Sequence, residues 1–174
     1  MIDVHEHFVK QTYRNRAVIL SANGPMALTI PVLKTAHKMP VNSLITDNTV
    51  HWQRQHWESL KSAYGSAPYF IHYSDAFEKM YTSPVTNLAT FEIELLQLCI
   101  KLLKIDLTLS FSESYVVCGD NDDDLRHQIN PKIKPEATFK SYLQVFTEKF
   151  PFEANLSVVD VLFNHGPRSI DYIL

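Results

Sequence analysis

Residues 11–32 read QTYRNRAVILSANGPMALTIPV, and this stretch decides the N-terminal architecture of the chain. Two apolar runs, residues 17–20 and 26–32, are typical of β-strands because they are rich in branched and long aliphatic side chains. Between them lies Asn23-Gly24, a dipeptide that favours a tight turn because both residues tolerate positive φ. The stretch therefore predicts a β-hairpin.

The polar residues before the hairpin are rich in cations. If residues 10–16 run extended, side-chain alternation places Lys10, Thr12, Arg14 and Arg16 on one face. Arg14 and Arg16 can then grip one phosphate or carboxylate, because each guanidinium offers a planar fork of donors. The alternative is an edge strand whose cations are solvated or paired with carboxylates.

Composition narrows the class of protein. The 174 residues are 45% hydrophobic, which predicts one domain, residues 1–174, with a core that needs no metal or disulfide. A formal net charge of −3 argues against nucleic-acid binding, and no apolar stretch predicts membrane insertion. Cys99 and Cys118 lack metal-binding spacing, and the N-terminus lacks a secretion signal, so a cytoplasmic protein is expected.

Apolar periodicity predicts three helices in the middle of the chain. Residues 52–64 carry apolar and aromatic side chains at four-residue spacing and end at Gly65. A short helix follows at 74–81. A longer helix is predicted at 85–105, with a continuous apolar stripe along one face, and Glu92 lies off that stripe.

The C-terminal half alternates shorter elements. Ser157 opens a helix that ends at 164–167, with Asp160 in the capping-box position. The remaining predictions are strands at 107–111 and 115–118 and helices at 122–129 and 141–149. Together the elements predict an α/β domain with a mixed sheet, an N-terminal hairpin and helices packed on it, or alternatively an α+β arrangement.

The chemistry-bearing residues give weaker signals. With only four glycines, neither a dinucleotide fingerprint nor a Walker A loop is present, and no cofactor is expected. His5 and His7 can share a strand face, but zinc needs more ligands, so no metal is expected. The acidic run at 122–124 is more typical of a helix N-terminus than of a metal cluster. His56 is either packed in the aromatic core or a general base facing a cleft.

Several segments in order resemble the WbqC-like family, in the form of its Bacteroides-type members. They are Gln-Thr-Tyr-Arg-Asn-Arg at 11–16, Ala-Asn-Gly-Pro at 22–25, Leu-Thr-Ile-Pro-Val at 28–32, Trp52 with His56, Ala-Pro-Tyr-Phe at 67–70, Tyr142 with Gln144, and Asn-Leu-Ser-Val-Val-Asp-Val-Leu-Phe-Asn at 155–164 followed by Gly166-Pro167.

This resemblance implies a bacterial cytoplasmic protein connected with the synthesis of O-antigen and related surface polysaccharides. It implies a glycine or other acyl transfer to an amino sugar as the activity. The matching polar or aromatic positions are Tyr13, Arg14, Asn15, Arg16, Trp52, His56, Tyr69, Tyr142, Gln144, Asn155 and Asp160.

The chain departs from the family pattern in three places. Asn130 stands where members carry a histidine of His-Pro-Lys, and Asn164-His165-Gly166-Pro167-Arg168 replaces Asn-Met-Gly-Pro-Glu. An aromatic and proline-rich segment that members carry ahead of Ile2 is also lacking. Its loss predicts an unpaired strand edge at Val4 and Phe8, and self-association through that edge.

Together with the resemblance, these observations predict a transferase that acts on a small molecule, a nucleotide-activated amino sugar or its acyl donor. Arg14 and Arg16, with Tyr13, Asn15 and Gln144, are the expected substrate- and phosphate-binding residues. His56 is the expected base for the sugar amine, and Tyr69 or Tyr142 would orient the acceptor. The alternatives are a non-catalytic protein that binds a sugar nucleotide or assists a glycosyltransferase, and an inactive shortened fragment.

Overall fold

Helices pack on an N-terminal β-hairpin, which confirms the predicted mixed α/β class. A computed structural model describes residues 1–33, 39–118, 124–126, 128–133, 135 and 137–173. The elements are β1 (Arg16–Ser21), β2 (Gly24–Thr29), α1 (Trp52–Tyr64), α2 (Phe70–Thr82), α3 (Leu88–Leu102), α4 (Val158–His165) and α5 (Ile170–Ile173), with 3-10 turns at Val41–Ser43 and Gly166–Arg168.

The hairpin forms where the turn dipeptide predicts it. β1 and β2 pair antiparallel from Arg16 opposite Thr29 to Ser21 opposite Gly24. Gly24 has a φ of 100°, a left-handed conformation that glycine adopts without steric cost. Within the described residues the regular sheet contains these two strands alone, so the predicted mixed sheet is smaller than expected.

The helices that carry long apolar periods are confirmed. α1 begins and ends at the predicted residues, and its four-residue repeat of Trp52, His56, Leu60 and Tyr64 is buried. α3 lies inside the predicted 85–105. It is capped by Asn87, whose side chain accepts a hydrogen bond of 3.0 Å from the Thr90 amide. α2 starts four residues earlier than predicted, at Phe70, because that ring joins the core.

The core centres on α4, which lies among the other helices and the hairpin. The ring of Phe163 lies 5.1–5.2 Å from the rings of Tyr64, Phe70 and Phe77. The amide of Ser157, just before α4, donates to the Val18 carbonyl of β1 at 2.7 Å. A short C-terminal helix therefore joins the hairpin to α1 and α2.

Three predicted elements are wrong. Residues 107–111 and 115–118 form no strand beyond an isolated bridge between Phe111 and Ile2, and residues 145–149 form turns where a helix was expected. The apolar side chains that suggested strands, Leu107, Tyr115 and Val117, are 56, 51 and 83% exposed, so no sheet packs on them. The predicted helix at 122–129 lies partly outside the described residues, which include Leu125 and Arg126 in non-helical conformation.

The first residues of the chain are not an unpaired edge. The amides of Val41 and Asn42 donate to the carbonyls of Glu6 and Val4, each at 2.9 Å, and Phe8 donates to Met39 at 2.9 Å. On the other side, Ile2 exchanges hydrogen bonds with residues 110 and 112. The expected free edge at Val4 and Phe8 is therefore wrong, and the structure offers no support there for self-association.

None of the helices in the described part of the chain is both long and apolar enough to cross a membrane.

Candidate functional site

A cavity of about 220 Å³ lies between the N-terminal residues and α3. We call it the N-terminal cavity. Its walls are mainly apolar, and four charged or titratable side chains interrupt them. The apolar residues are Ile2, Val4, Val41, Ala89, Ile93 and Leu96, and the polar ones are Asp3, Glu6, Arg14 and Glu92.

A second, shallower depression of about 170 Å³ shares Glu6 and Arg14 with the N-terminal cavity. We call it the Arg14 pocket. Tyr13 and Arg126 add polar groups to it, and Leu125 and Ile129 add apolar ones. Because Arg14 lines both spaces, its guanidinium is the group that a ligand in either one would meet.

Arg14 is held by several partners. It forms an ion pair with Glu6 and donates to the Arg126 carbonyl at 3.1 Å and to Thr12 Oγ1 at 3.3 Å. Its buried Nε has no partner among the described residues. Burial and the nearby Arg126 guanidinium both lower the pKa of Arg14, so two cations lie close together here.

The predicted row of cations is not formed, because residues 10–15 turn instead of running extended. Gln11 has a φ of 61°, which places it in the left-handed region and breaks side-chain alternation. Arg16 lies at the start of β1, where its Nε donates to Thr29 Oγ1 at 3.3 Å. Arg14 and Arg16 therefore lie in different surroundings.

Arg126 and Asp3 tie the site to the chain that follows α3. Arg126 holds Asp124 through two hydrogen bonds of 2.8 and 2.9 Å and donates to Asp3 Oδ2 at 2.9 Å. Asp3 also accepts from the Ser112 hydroxyl at 2.8 Å and the Val116 amide at 3.0 Å. Burial opposes the charge on Asp3, but these hydrogen bonds lower its pKa overall.

Glu92 differs from the other acids of the N-terminal cavity. Asp3 and Glu6 are paired with arginines, whereas no described residue donates to the partly buried Glu92 carboxyl. Burial without a compensating partner raises the pKa of Glu92 to about 8, so its side chain is largely uncharged at neutral pH. An unpaired carboxyl in a cavity is a common feature of functional sites.

His56, the predicted base, lies outside both spaces. It is 7% exposed and packs against Trp52 in the core. Its Nε2 is 3.2 Å from the Thr29 carbonyl, which can only accept, so this nitrogen carries the proton. Burial lowers the pKa of His56 to about 4 and keeps the imidazole neutral.

Tyr142 and Gln144 meet at a buried carboxylate, Asp160 of α4. Asp160 accepts from Tyr142 at 2.8 Å, from Gln144 at 3.0 Å and, through its other oxygen, from Tyr64 at 2.9 Å. Burial raises the pKa of Asp160, although the three donors oppose this change. The predicted capping box is therefore wrong, because Asp160 points into the core and Ser157 makes no side-chain cap.

The other predicted site residues serve the fold. Tyr69 packs its ring where a side chain at Gly166 would otherwise lie. The buried Asn15 donates to the Ile30 carbonyl at 2.8 Å. Tyr13 is 3.4 Å from Asn155, although it also lines the Arg14 pocket. The predicted site residues therefore fall into separate places, and only Tyr13 and Arg14 reach the two spaces described above.

Four residues that line the two spaces are not predicted from the sequence as site residues: Asp3, Glu6, Glu92 and Arg126. Glu92 had a usable signal, since it is an acid displaced from the apolar stripe of a helix. Nothing in the local sequence of the other three indicates that they converge.

Among the described residues, no group of three or more His, Cys, Asp or Glu side chains could hold a metal ion.

Comparison with known proteins gives one clear assignment. An uncharacterized protein of Mycobacterium tuberculosis, Rv1507c, is 24% identical over 196 residues, which cover 95% of this chain and 83% of that protein. No solved structure gives a significant match. The sequence profile of the WbqC-like protein family matches residues 2–138, which include the hairpin and the residues of both the N-terminal cavity and the Arg14 pocket. The chain therefore belongs to the WbqC-like protein family.

Proposed function

We propose that the protein binds a nucleotide-activated amino sugar and transfers a glycyl or other acyl group to its amine, as a step in O-antigen or surface-polysaccharide synthesis. In such a transfer the amine nitrogen attacks the acyl carbon, the bond to the donor's leaving group breaks, and the proton lost by the amine passes to the leaving group or to solvent. The observation that carries the proposal is the position of Arg14, which lines two adjoining spaces and lies beside Arg126.

Arg14 and Arg126 suit a diphosphate. The Arg14 guanidinium can donate to an anion that carries more than one negative charge. The N–H donors of Arg126 already bond to Asp3, Asp124, Val116 and Cys118, so Arg126 would add positive charge beside this anion instead of further hydrogen bonds. Glu6 now pairs with Arg14, and a diphosphate would take its place as the acceptor. The unpartnered Nε of Arg14 supplies a further donor without breaking any bond among the described residues.

The sugar would then extend into the N-terminal cavity. Its volume of about 220 Å³ and its apolar walls suit a single small ring, because the less polar face of a sugar packs on aliphatic side chains. His56, the base predicted from the sequence, is buried and hydrogen-bonded to Thr29, so it cannot accept the proton of the sugar amine.

The buried position of His56 favours a second candidate, a protein that binds the sugar nucleotide without reacting. Among the described residues, neither space is lined by a histidine, cysteine, serine or lysine that would act as a nucleophile or as a conventional base. In this alternative the protein would present the sugar nucleotide to a glycosyltransferase or another enzyme.

Binding and mass measurements on the same samples separate these candidates. Uridine- and thymidine-diphosphate amino sugars are titrated calorimetrically, then incubated with acyl donors such as acetyl-CoA, or glycine with ATP. A gain of mass on the sugar supports transfer, and binding without mass gain across the donors supports the accessory role. Failure of every sugar nucleotide to bind would exclude both.

Arg16 provides the matched control for Arg14. Arg14→Gln should weaken sugar-nucleotide binding by about tenfold or more, as expected for loss of a charge-assisted contact of about 1–3 kcal/mol. Arg16→Gln removes the same charge two residues away but should have little effect, because Arg16 lines neither space. Equal losses in the two variants would contradict the assigned position of the diphosphate. Arg14→Lys, which keeps the charge but not the fork, should be intermediate.

A further inference from the structure

Glu92 is the titratable side chain of the N-terminal cavity that makes no hydrogen bond or ion pair with any described residue. Asp3 is bonded to Arg126, and Glu6 is paired with Arg14, so the charges at that end of the cavity are compensated within the protein. Glu92 projects from α3 into the same space, and no described residue donates to its carboxyl. The ligand that best complements this cavity therefore has a cationic or hydrogen-bond-donating group for Glu92 and an apolar part that packs on the aliphatic walls.

We infer that the N-terminal cavity is an amine-binding subsite in which Glu92 recognises a protonated primary amine and the aliphatic walls hold its apolar carrier. This inference rests on the proposed function for the identity of the carrier, a sugar. Given the six aliphatic wall residues, the fitting class is an amino sugar with hydroxyl groups removed, because each buried hydroxyl would need a partner that these walls lack.

The alternative ligand, a free carboxylate or phosphate at Glu92, is disfavoured by charge. An anion next to Glu92 would supply no counter-ion to this carboxyl, and Arg14, the cation that lines the cavity, is already paired with Glu6. An ammonium group replaces the missing partner of Glu92 and offers three donors. Its binding also removes the main cost of ionising this carboxyl, which is burial without a counter-ion.

Proton release accompanies this mode of binding. The Glu92 carboxyl in the free protein has a pKa of about 8, so at pH 7 it must lose its proton to solvent when an ammonium binds. Asp3, Glu6 and Arg14 face the same cavity, and each forms an ion pair with a residue of opposite charge. Amine affinity should therefore rise about tenfold from pH 6 to pH 7 and level off above pH 8.

The test compares cyclohexylamine with cyclohexanol, two six-membered rings that differ in the polar group alone. Titrations followed by NMR at pH 8 should show the wild-type protein binding the amine at least tenfold more tightly than the alcohol. Glu92→Gln keeps the shape and removes the charge, so it should bind the two probes about equally. Calorimetry of the wild type in two buffers at pH 7 should show release of about one proton per amine bound.

Two results would overturn the inference: no preference for the amine in the wild-type protein, or the same preference in a folded Glu92→Gln variant. Proton release supplies a check that needs no variant, and its absence at pH 7 would also count against Glu92. Arg16→Gln, at a residue that does not line the cavity, should retain the amine preference. If the protein binds amines through Glu92 but does not bind sugar nucleotides, the proposed function alone is refuted. If it binds sugar nucleotides but shows no preference for the amine, this subsite alone is refuted.

Discussion

At the scale of single residues, burial acts on two titratable groups in opposite ways. His56 is buried among rings and keeps one hydrogen bond to Thr29, which a neutral imidazole satisfies fully. Glu92 is buried against aliphatic side chains and has no bond to any described residue. The first arrangement is typical of a structural residue, and the second is typical of a group that awaits a ligand.

The neutral state of His56 predicts an acid-sensitive fold. Its pKa is about 4 in the folded protein and ordinarily about 6.5, so the unfolded chain binds the extra proton as the pH falls between these values. Stability should therefore decrease with falling pH from about 6.5 to 4, by up to about 3 kcal/mol from this residue. Denaturant unfolding at intervals of half a pH unit measures this loss.

His56→Gln can retain the bond to Thr29 and should remove this part of the pH dependence. The exposed His51 is the control, and His51→Gln should leave the curve unchanged. Parallel curves for the wild type and His56→Gln would show that His56 is protonated as easily in the folded protein as in the unfolded chain.

Glu92 should weaken the fold at alkaline pH. Its pKa is about 8 when folded and ordinarily about 4.5, so the folded protein holds the proton more tightly and loses stability as the pH rises between these values. Glu92→Gln should consequently raise the free energy of unfolding by about 2 kcal/mol at pH 8 and by little at pH 4.5, allowing for partial exposure of the carboxyl. Thermal and urea unfolding at both pH values test this, with the exposed Glu94→Gln on the same helix as the control. A Glu92→Gln variant that is less stable at pH 8 would indicate a structural partner for this carboxyl.

At the scale of secondary-structure elements, the sequence predicts helices well and strands unevenly. α1 and α3 have apolar repeats long enough to define a buried face, and Gly24 determines the hairpin turn locally. Residues 107–111 and 115–118 have equally apolar side chains, yet they lack a partner strand, and strand formation depends on that partner. The apolar side chains of these two segments therefore do not by themselves determine that they form strands.

α4 shows how tertiary contacts override a local motif. Ser157 and Asp160 have capping-box spacing, but three donors from distant parts of the chain, Tyr64, Tyr142 and Gln144, take the Asp160 carboxylate. The C-terminal end of α4 depends on Gly166, which has a φ of 55° and faces the ring of Tyr69. The sequence predicted a helix end there correctly, but not the contact that restricts it to glycine.

Gly24 and Gly166, the described glycines with positive φ, provide a matched test of that contact. A Cβ at Gly166 would overlap the ring of Tyr69, whereas one at Gly24 would meet nothing within 4 Å. Gly166→Ala should therefore cost about 2–4 kcal/mol of stability, and Gly24→Ala about 1–2 kcal/mol from backbone strain alone. Urea unfolding of both variants measures the difference. Adding Tyr69→Ala should reduce the cost of Gly166→Ala, and an unchanged cost would show that the ring is not the obstacle.

At the scale of the whole molecule, the candidate site is assembled from residues far apart in the chain. Asp3 and Arg126 are 123 positions apart, and Arg14 and the Arg126 carbonyl are 112 apart. Helix periodicity, turn residues and composition act over much shorter distances, so they predicted Arg14 as an anion ligand but not the residues it meets. Glu92 was predicted only to lie off the apolar stripe of its helix, because most of the residues that share its cavity come from the N-terminal part of the chain, far from it in the sequence.

The last prediction concerns Asp3, which fastens the chain after α3 to the N-terminal residues. It accepts hydrogen bonds from Ser112, Val116 and Arg126, while the adjoining apolar residues Leu107 and Val117 remain exposed and contribute little burial. Asp3→Asn should therefore loosen residues 106–118 before it affects the helical core, because few other interactions hold them. Amide hydrogen exchange at Val116 should accelerate about tenfold, the equivalent of about 1.4 kcal/mol, with little change in α1 and α2. The exposed Asp106→Asn should leave exchange unchanged throughout. Equal acceleration in the loop and in α1 would instead mean that the segment and the core open as one unit, and that Asp3 stabilises the entire fold.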